Sequence, residues 1–449
     1  MEDYVKLEID KEKIIDANPT KDFFISMLTR DIDLKPAIAE LVDNSLDGAR
    51  RFRSKTAEQC SISVMYNKEK FEIIDTCGGM SIKSAKEYCF RFGRPSDEED
   101  EKNDGLKTIG VFGIGMKRAL FRLGKEFYIK SVTPTEHFVI KVDVDDWIKD
   151  KSSDWSFTFD EMNSGENNEL DKCGTTIMVS KLYPAISNWF TNPYFETDFI
   201  AYLGIRSSTL KELNVTLAVN NNNVEYADEK ILYDDTFCPK IKNIKIDNVN
   251  IKVMAACAKM GKLRKSGWYI FCNGRMVLYA NRDETTVWGT DSVPLHHPSY
   301  AAFRGYVFFE SEDMEKLPWN TTKTGVDTSS KYYRVALKEM IGATKEFIEF
   351  RKKIETVIDP EAGITAESIF DHTEVSIFDK RIINLLETDH KYEFPTSFPT
   401  PEKPKSSVNF KADKEKVERV KNYLGVRNNA TMGEKIFNYY YEREIEEDE

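Results

Sequence analysis

Glu40, Asn44 and Asp47 fall at i, i+4 and i+7 of the run Glu40-Leu-Val-Asp43-Asn44-Ser-Leu-Asp47-Gly-Ala. On a helix they share one face, with Asp43 at its border. An acid, an amide and a second acid among apolar residues are costly to bury unless they meet a cation or a ligand. An amide oxygen with water suits Mg²⁺, which keeps most of its waters and takes few protein ligands. Read alone, the segment also fits an ordinary solvated helix face. A second segment, Phe71-Glu-Ile-Ile-Asp75-Thr76-Cys77-Gly78-Gly79-Met80, ends a strand in an acid followed by a glycine turn. Backbone can approach a flat ligand closely there, and the carboxylate can accept from an exocyclic amine such as adenine's. Asp-Gly clusters also serve simply to turn the chain. In the third, Gly105-Leu-Lys-Thr-Ile-Gly110-Val-Phe-Gly113-Ile114-Gly115-Met116-Lys117-Arg118, glycines precede a helix start. Free N–H groups at such a start form an anion site, and Lys117 adds a positive charge for a phosphate.

These residues need elements to hold them. Asp22 to Arg53 carries apolar positions at helical period, interrupted near Pro36. Ser61–Tyr66 and Lys70–Asp75 alternate as strands do, and further strands are expected at 127–132 and 138–144. Residues 94–109 are charged and without apolar periodicity, a mobile loop. Helices mixed with antiparallel-looking hairpins over the first 185 residues indicate an α/β two-layer sandwich. Strand signals return between 190 and 330, at Val215–Val219, Trp268–Phe271, Val277–Tyr279 and Gly305–Phe309. Tyr333, Ala336, Met340, Ala343, Phe347, Phe350, Ile354 and Val357 then form a stripe on one long helix. That stripe fits packing on its own sheet or a self-association seam. Residues 395–408 hold four prolines and several serines, a linker. The tail segment 411–427 carries six basic residues against three acidic ones.

Composition narrows the function classes. The 449 residues carry 64 basic and 76 acidic side chains, a net charge of −12. That balance disfavours general coating of nucleic acid and leaves only local contacts, for instance through the basic tail segment. No apolar run reaches the eighteen or so residues of a membrane span. Seven scattered cysteines with no Cys-x-x-Cys pair, and five histidines without ligand spacing, fit free thiols in a reducing cytoplasm rather than a zinc site. No Gly-x-x-x-x-Gly-Lys-[Ser/Thr] occurs, which excludes a P-loop. The glycine run follows a charged loop and not a first strand, which disfavours a dinucleotide-binding fold.

In this order and spacing the three segments resemble the GHKL superfamily of ATPases, which includes MutL, type II topoisomerases, heat-shock chaperone ATPases and histidine kinases. Cys173-Gly174-Thr175-Thr-Ile-Met-Val looks like that family's Gly-Thr strand near the adenine. The MORC ATPases are the nearest likeness. Gly110 to Lys125 is very like their third motif, and Cys89-Phe-Arg-Phe-Gly93 is similar to the segment before their lid. Phe271-Cys-Asn-Gly274-Arg275-Met-Val and Leu317-Pro-Trp-Asn320-Thr-Thr-Lys323 look like their transducer domain. The likeness spans roughly residues 20–355. It implies an α+β chain: a Bergerat-type sandwich over 1–185, then a ribosomal-S5-like transducer over 186–358. A helical extension (359–394), the linker (395–408) and a helical segment (409–449) complete the chain.

The resemblance also implies roles. Glu40 would be the general base, Asn44 the Mg²⁺ ligand, and Asp75 the adenine contact with Thr175 nearby. Gly113, Gly115 and Met116 would offer backbone N–H groups to the phosphates of ATP, and Lys117 its side chain. Gly79, Met80, Gly110 and Ile114 would complete the nucleotide-binding set. Lys323 would reach the γ-phosphate, residues 94–109 would be the lid, and Asp47 would support the Mg²⁺ face. Two copies would associate on ATP binding, with DNA or a protein as the partner acted upon. An ATP-sensing module without turnover is the alternative. A histidine kinase would need a phosphoacceptor helix before the ATP motifs, yet the first histidine is His137. One departure stands out: Cys77 occupies the first glycine of the family's Asp-x-Gly-x-Gly pattern, leaving Gly78 to supply the positive φ.

Overall fold

The computed structural model describes residues 19–30, 32–53, 59–92, 114–150, 155–165, 173–207, 213–259, 261–290, 292–320, 322–358, 364–395 and 408–444. The expected lid (94–109), Gly110 and Gly113 lie outside the described residues. The chain divides into two compact units, Met1–Phe398 and Pro399–Glu449.

The helical pattern of residues 22–53 folds as two helices, α1 (Lys21–Arg30) and α2 (Leu34–Arg53). Pro36 sits in the first turn of α2, where a missing N–H costs nothing. Ala37, Ile38, Leu41, Val42, Leu46 and Ala49 make the buried face of α2. A hairpin of β1 (Ser61–Tyr66) and β2 (Phe71–Asp75) follows, then a short helix α3 (Ile82–Ser84) that runs into a π turn over Ala85–Cys89. Next come α4 (Gly115–Leu123), β3 (Gly124–Val132), β4 (Glu136–Asp143), α5 (Val144–Lys149), β5 (Glu161–Ser164) and β6 (Gly174–Leu182). After α6 (Pro184–Phe190) and α7 (Pro193–Arg206), strands β7 (Thr216–Val219) and β8 (Asn222–Asn223) return to the same sheet.

That sheet has eight strands in the order β5-β4-β3-β6-β2-β1-β7-β8, antiparallel except where β7 joins β1. Alternate burial along β1 and β2 puts Ile62, Val64, Phe71, Ile73 and Asp75 on the helix side. Asp75 pairs in register with Ile62 and Thr175, so it ends a central strand. This layer draws its core from residues as far on as Val224, beyond the expected boundary at 185.

The second sheet has the order β10-β11-β14-β12-β13, built from β10 (Lys240–Ile246), β11 (Val249–Cys257), β12 (Gly267–Cys272), β13 (Arg275–Asn281) and β14 (Phe303–Glu310). A further strand, β9 (Lys230–Leu232), precedes them. On one face lies α8 (Lys331–Val357), whose stripe from Tyr333 to Ile354 is buried against Ile251, Val253, Val307 and Phe309. The stripe therefore packs on its own sheet. The stretch expected as a helical extension holds α9 (Ala366–Ile369), β15 (Glu374–Ser376) and α10 (Lys380–Leu385). There β15 pairs with β9, and Ile377, Ile382 and Leu386 cover the sheet's other face.

In the terminal unit, α11 (Lys414–Leu424) is capped by Asp413 and ended by Gly425 at φ +65°. It precedes α12 (Asn429–Glu444), which leaves Phe437, Tyr439 and Tyr440 exposed. Among the described residues no helix is long and apolar enough to cross a membrane.

Candidate functional site

The acidic face of α2 is buried. Glu40 is 6% exposed, Asp43 and Asp47 are equally enclosed, and Asn44 between them is exposed. A carboxylate taken out of water needs a cation, and Glu40 has two. Lys323 Nζ donates to Oε2 at 2.9 Å, and Arg275 donates to Oε1 at 3.1 Å. Both cations come from the second sheet's side and are 1% exposed. Arg275 also lies against Asp43, while Asp47 pairs with Arg50 at 3.4 Å. Burial alone would push the Glu40 carboxyl up, but Lys323 and then Arg275 outweigh it and hold the group below the usual carboxylate range.

Two glycine features fit this packing. A Cβ on Gly115 would stand 2.5 Å from Glu40 Oε2, so only glycine lets the start of α4 approach the carboxylate. The N-cap of α4, Ile114, offers no side-chain acceptor. Among the described residues no side chain caps the first N–H groups of α4, those of Gly115 and Met116, and a helix start of this kind can take an anion. Lys117 is also buried, and its Nζ donates to the carbonyls of Cys89 at 2.8 Å and Arg91 at 2.6 Å. Burial pushes this ammonium down to about 8. The expected phosphate lysine thus holds the segment that leads into residues 93–113.

Asp75 is assembled within the first layer. Oδ2 accepts from Ser45 Oγ at 2.7 Å; Oδ1 accepts from the Cys77 N–H at 2.9 Å and the Thr175 N–H at 3.2 Å. The Cys77 thiol adds a fourth hydrogen bond to this carboxylate, so a ligand amine would share or displace one of these donors. Burial pushes this carboxyl up against the pull of those hydrogen bonds. The left-handed steps fall on Gly78 (φ +88°) and Gly79 (φ +72°), so Cys77 needs no glycine freedom. Its thiol is buried and pushed up, chiefly by that burial. Met80 is fixed by its N–H donating to Ser131 Oγ at 2.6 Å.

The structure thus brings Glu40, Gly115 and Lys323 together at one point, and Asp75, Cys77 and Thr175 at another. The single helix α2 spans both, through Glu40 and Ser45. Sequence reasoning left Ser45, Ser131 and Arg275 without roles. Ser45 had a signal, since it stands beside Asn44 in the same run. Arg275 had none, because 235 residues separate it from Glu40. Among the described residues no three His, Cys, Asp or Glu side chains gather as a metal cage. Exposed Asn44 amid buried acids fits a Mg²⁺ ion that takes one amide oxygen and otherwise water.

No curated protein matches the chain. A family model described as Histidine kinase-, DNA gyrase B-, and HSP90-like ATPase matches residues 32–175. That stretch contains Glu40, Asn44, Asp75, Lys117 and Thr175, and stops short of Arg275 and Lys323. Over residues 32–175, about a third of the chain, the sequence is thus similar to the ATPases of that description.

Proposed function

We propose that the chain is a Mg²⁺-dependent ATPase of the MORC-like kind whose nucleotide cycle closes a homodimer. The observation that carries this reading is the convergence on Glu40: a buried carboxylate beside the uncapped start of α4, reached by Lys323 from the second sheet. In this reading Asp75 accepts from the adenine amine. The N–H groups of Gly115 and Met116 take phosphate oxygens, joined by Lys117 once it leaves the carbonyls of Cys89 and Arg91. Asn44 holds Mg²⁺, which supplies charge neutralisation at the phosphates. Glu40 orients the attacking water and takes its proton. The γ-phosphate competes with Glu40 for Lys323, because a more highly charged oxyanion attracts an ammonium more strongly. ADP offers no such competitor, which makes Lys323 a reporter of hydrolysis. The second sheet with its long helix serves as the transducer.

The partner acted upon is DNA or a protein, engaged through the basic and aromatic terminal segment. Seven free cysteines support a cytoplasmic setting. Phosphate release with and without Mg²⁺, paired with small-angle scattering with a nonhydrolysable analogue, tests the reading. Glu40-dependent release and a more compact dimer are expected; neither occurring would overturn it. The paired state of Glu40 favours a second reading, an ATP sensor without turnover, since two cations weaken a base. Analogue-induced compaction without phosphate release would select it.

A further inference from the structure

Arg275 has no place in the roles above, yet it is among the most buried side chains of the molecule. Its NH1 bridges Glu40 and Asp43, which lie one turn apart on α2. Its Nε and NH2, also buried, make no hydrogen bond among the described residues. A guanidinium offers five donors, so most of this one's capacity is unmet. Unmet buried donors are destabilising, and an apolar side chain of similar length often packs as well as a buried ion pair or better. Stability alone does not account for an arginine here.

Its hold on Glu40 differs from that of Lys323. Arg275 follows the Asn273-Gly274 turn, at φ +47° and +81°. That turn is fixed on several sides. Asn273 Nδ2 donates to the Ser311 carbonyl at 2.9 Å, and the Ser311 N–H donates back to Oδ1 at 3.0 Å. The Asn273 N–H donates to the Phe309 carbonyl at 2.9 Å, and Arg50 of α2 donates to the Asn273 carbonyl at 3.1 Å. The Lys323 backbone, at φ +50°, is held as well: its N–H donates to the Asn320 carbonyl at 2.9 Å and Arg206 of α7 donates to its carbonyl. The difference lies in the side chains, a rigid guanidinium fork against a flexible four-carbon stem ending in one ammonium that can change partner.

We propose that Arg275 is a positioning residue of the hydrolytic site. It acts through Glu40, gripping Oε1 so that Oε2 can pass from Lys323 to the attacking water without the carboxylate swinging away. The inference rests on the ATPase reading. It adds that the base is oriented from the second sheet, outside the family match, so hydrolysis requires that sheet to stay docked on α2.

Four full-length forms test it: wild type, Glu40→Gln, Arg275→Met and the double variant, each assayed for phosphate release at saturating ATP and for ADP affinity. Arg275→Met should lower kcat about 10²-fold, the order expected when a reacting group is misplaced by about an ångström. Its ADP affinity should stay within about twofold of wild type, since no contact to the base is lost. In the Glu40→Gln background the same change should do nothing further, because two residues acting as one unit are not additive. Losses that multiply in the double variant, or an ADP affinity that falls with kcat, would assign Arg275 to general structure and overturn the proposal. Should Arg275→Met fail to fold, Arg275→Lys decides. It keeps the charge but not the fork, and should lose about tenfold in kcat at full ADP affinity; wild-type kcat overturns the proposal. Turnover that needs Glu40 but ignores Arg275 removes this inference alone. Turnover indifferent to Glu40→Gln removes the ATPase reading, and this inference with it.

Discussion

The two ends of the candidate site are built in opposite ways. At Asp75 every partner comes from the first layer: a serine of α2, the next turn's N–H and thiol, and the neighbouring strand's N–H. All are neutral. At Glu40 the partners are charged, come from beyond residue 270, and one of them leaves two nitrogens unmet. The first end is a finished socket. The second is a truce between ions that a more strongly charged oxyanion can rearrange. Under the proposed function, recognition of the base is therefore insensitive to how the second sheet sits, whereas chemistry depends on it.

The sharpest way to break this contrast is at the charged end. Glu40→Ala should keep ATP binding and lose at least ~10²-fold in turnover, as removal of a general base does. Isothermal titration beside phosphate release checks it, and unchanged turnover ends the catalytic assignment. Lys323→Ala should come next, with turnover and analogue-induced dimerisation reduced by a factor of roughly 30–150, the value of a ~2–3 kcal/mol charge-assisted contact. ADP affinity should hold; if it falls as far as ATP affinity, Lys323 does not read the γ-phosphate.

At the socket the pattern should invert. Asp75→Asn places an amide among four donors, so ATP and ADP should weaken together by about 1–3 kcal/mol. Native protein that binds GTP as well as ATP would remove the adenine role, since guanine presents an acceptor where adenine presents an amine. Lys117 belongs to neither end, and its ammonium is pushed down to about 8. Above that pH it is neutral in the fold but still charged when unfolded, so its burial costs less stability as pH rises from 8 towards 10.5. Attraction for phosphate changes in the other direction: ATP affinity should fall by up to about tenfold from pH 7 to 9, and by less in Lys117→Arg. A flat titration excludes the phosphate role. The smallest effect belongs to Cys77→Gly. Gly78 and Gly79 already carry the left-handed steps and the Cys77 N–H bond to Asp75 is kept, only the thiol's bond being lost, so nucleotide affinity should stay within about twofold.

Much of the socket was legible in the sequence because it is local. Alternation placed β1 and β2, an acid before two glycines marked the strand end, and helical spacing grouped Glu40, Asn44 and Asp47 on α2. The truce was not legible. Lys323 stands on a polar, glycine-ended loop, a composition that signals exposure, yet it is buried; only the family resemblance pointed to it. Nothing in the run around Arg275 indicates an acid 235 positions earlier. The same limit hid the reach of the first sheet, because β7 joins β1 as a parallel partner across about 150 residues. It hid the pairing of β9 with β15 as well. The hairpin of β10 and β11 could have been found, since Asp247 and Asn248 at its turn (φ +47° and +65°) are residues that tolerate left-handed backbone.

Ser45 and Glu40 are five positions apart on one rigid helix, about 7.5 Å of rise. That spacing couples two properties that selection usually adjusts separately. Under the proposed function, a change at Ser45 that admits a different base also shifts the frame in which Glu40 is aimed, so preference and rate move together along α2. Strand residues carry no such link: Thr175 touches the Asp75 end and has no contact with Glu40 among its described hydrogen bonds. Variation in which nucleotide is accepted should therefore accumulate on the strand side of the socket, while the helix side drifts little.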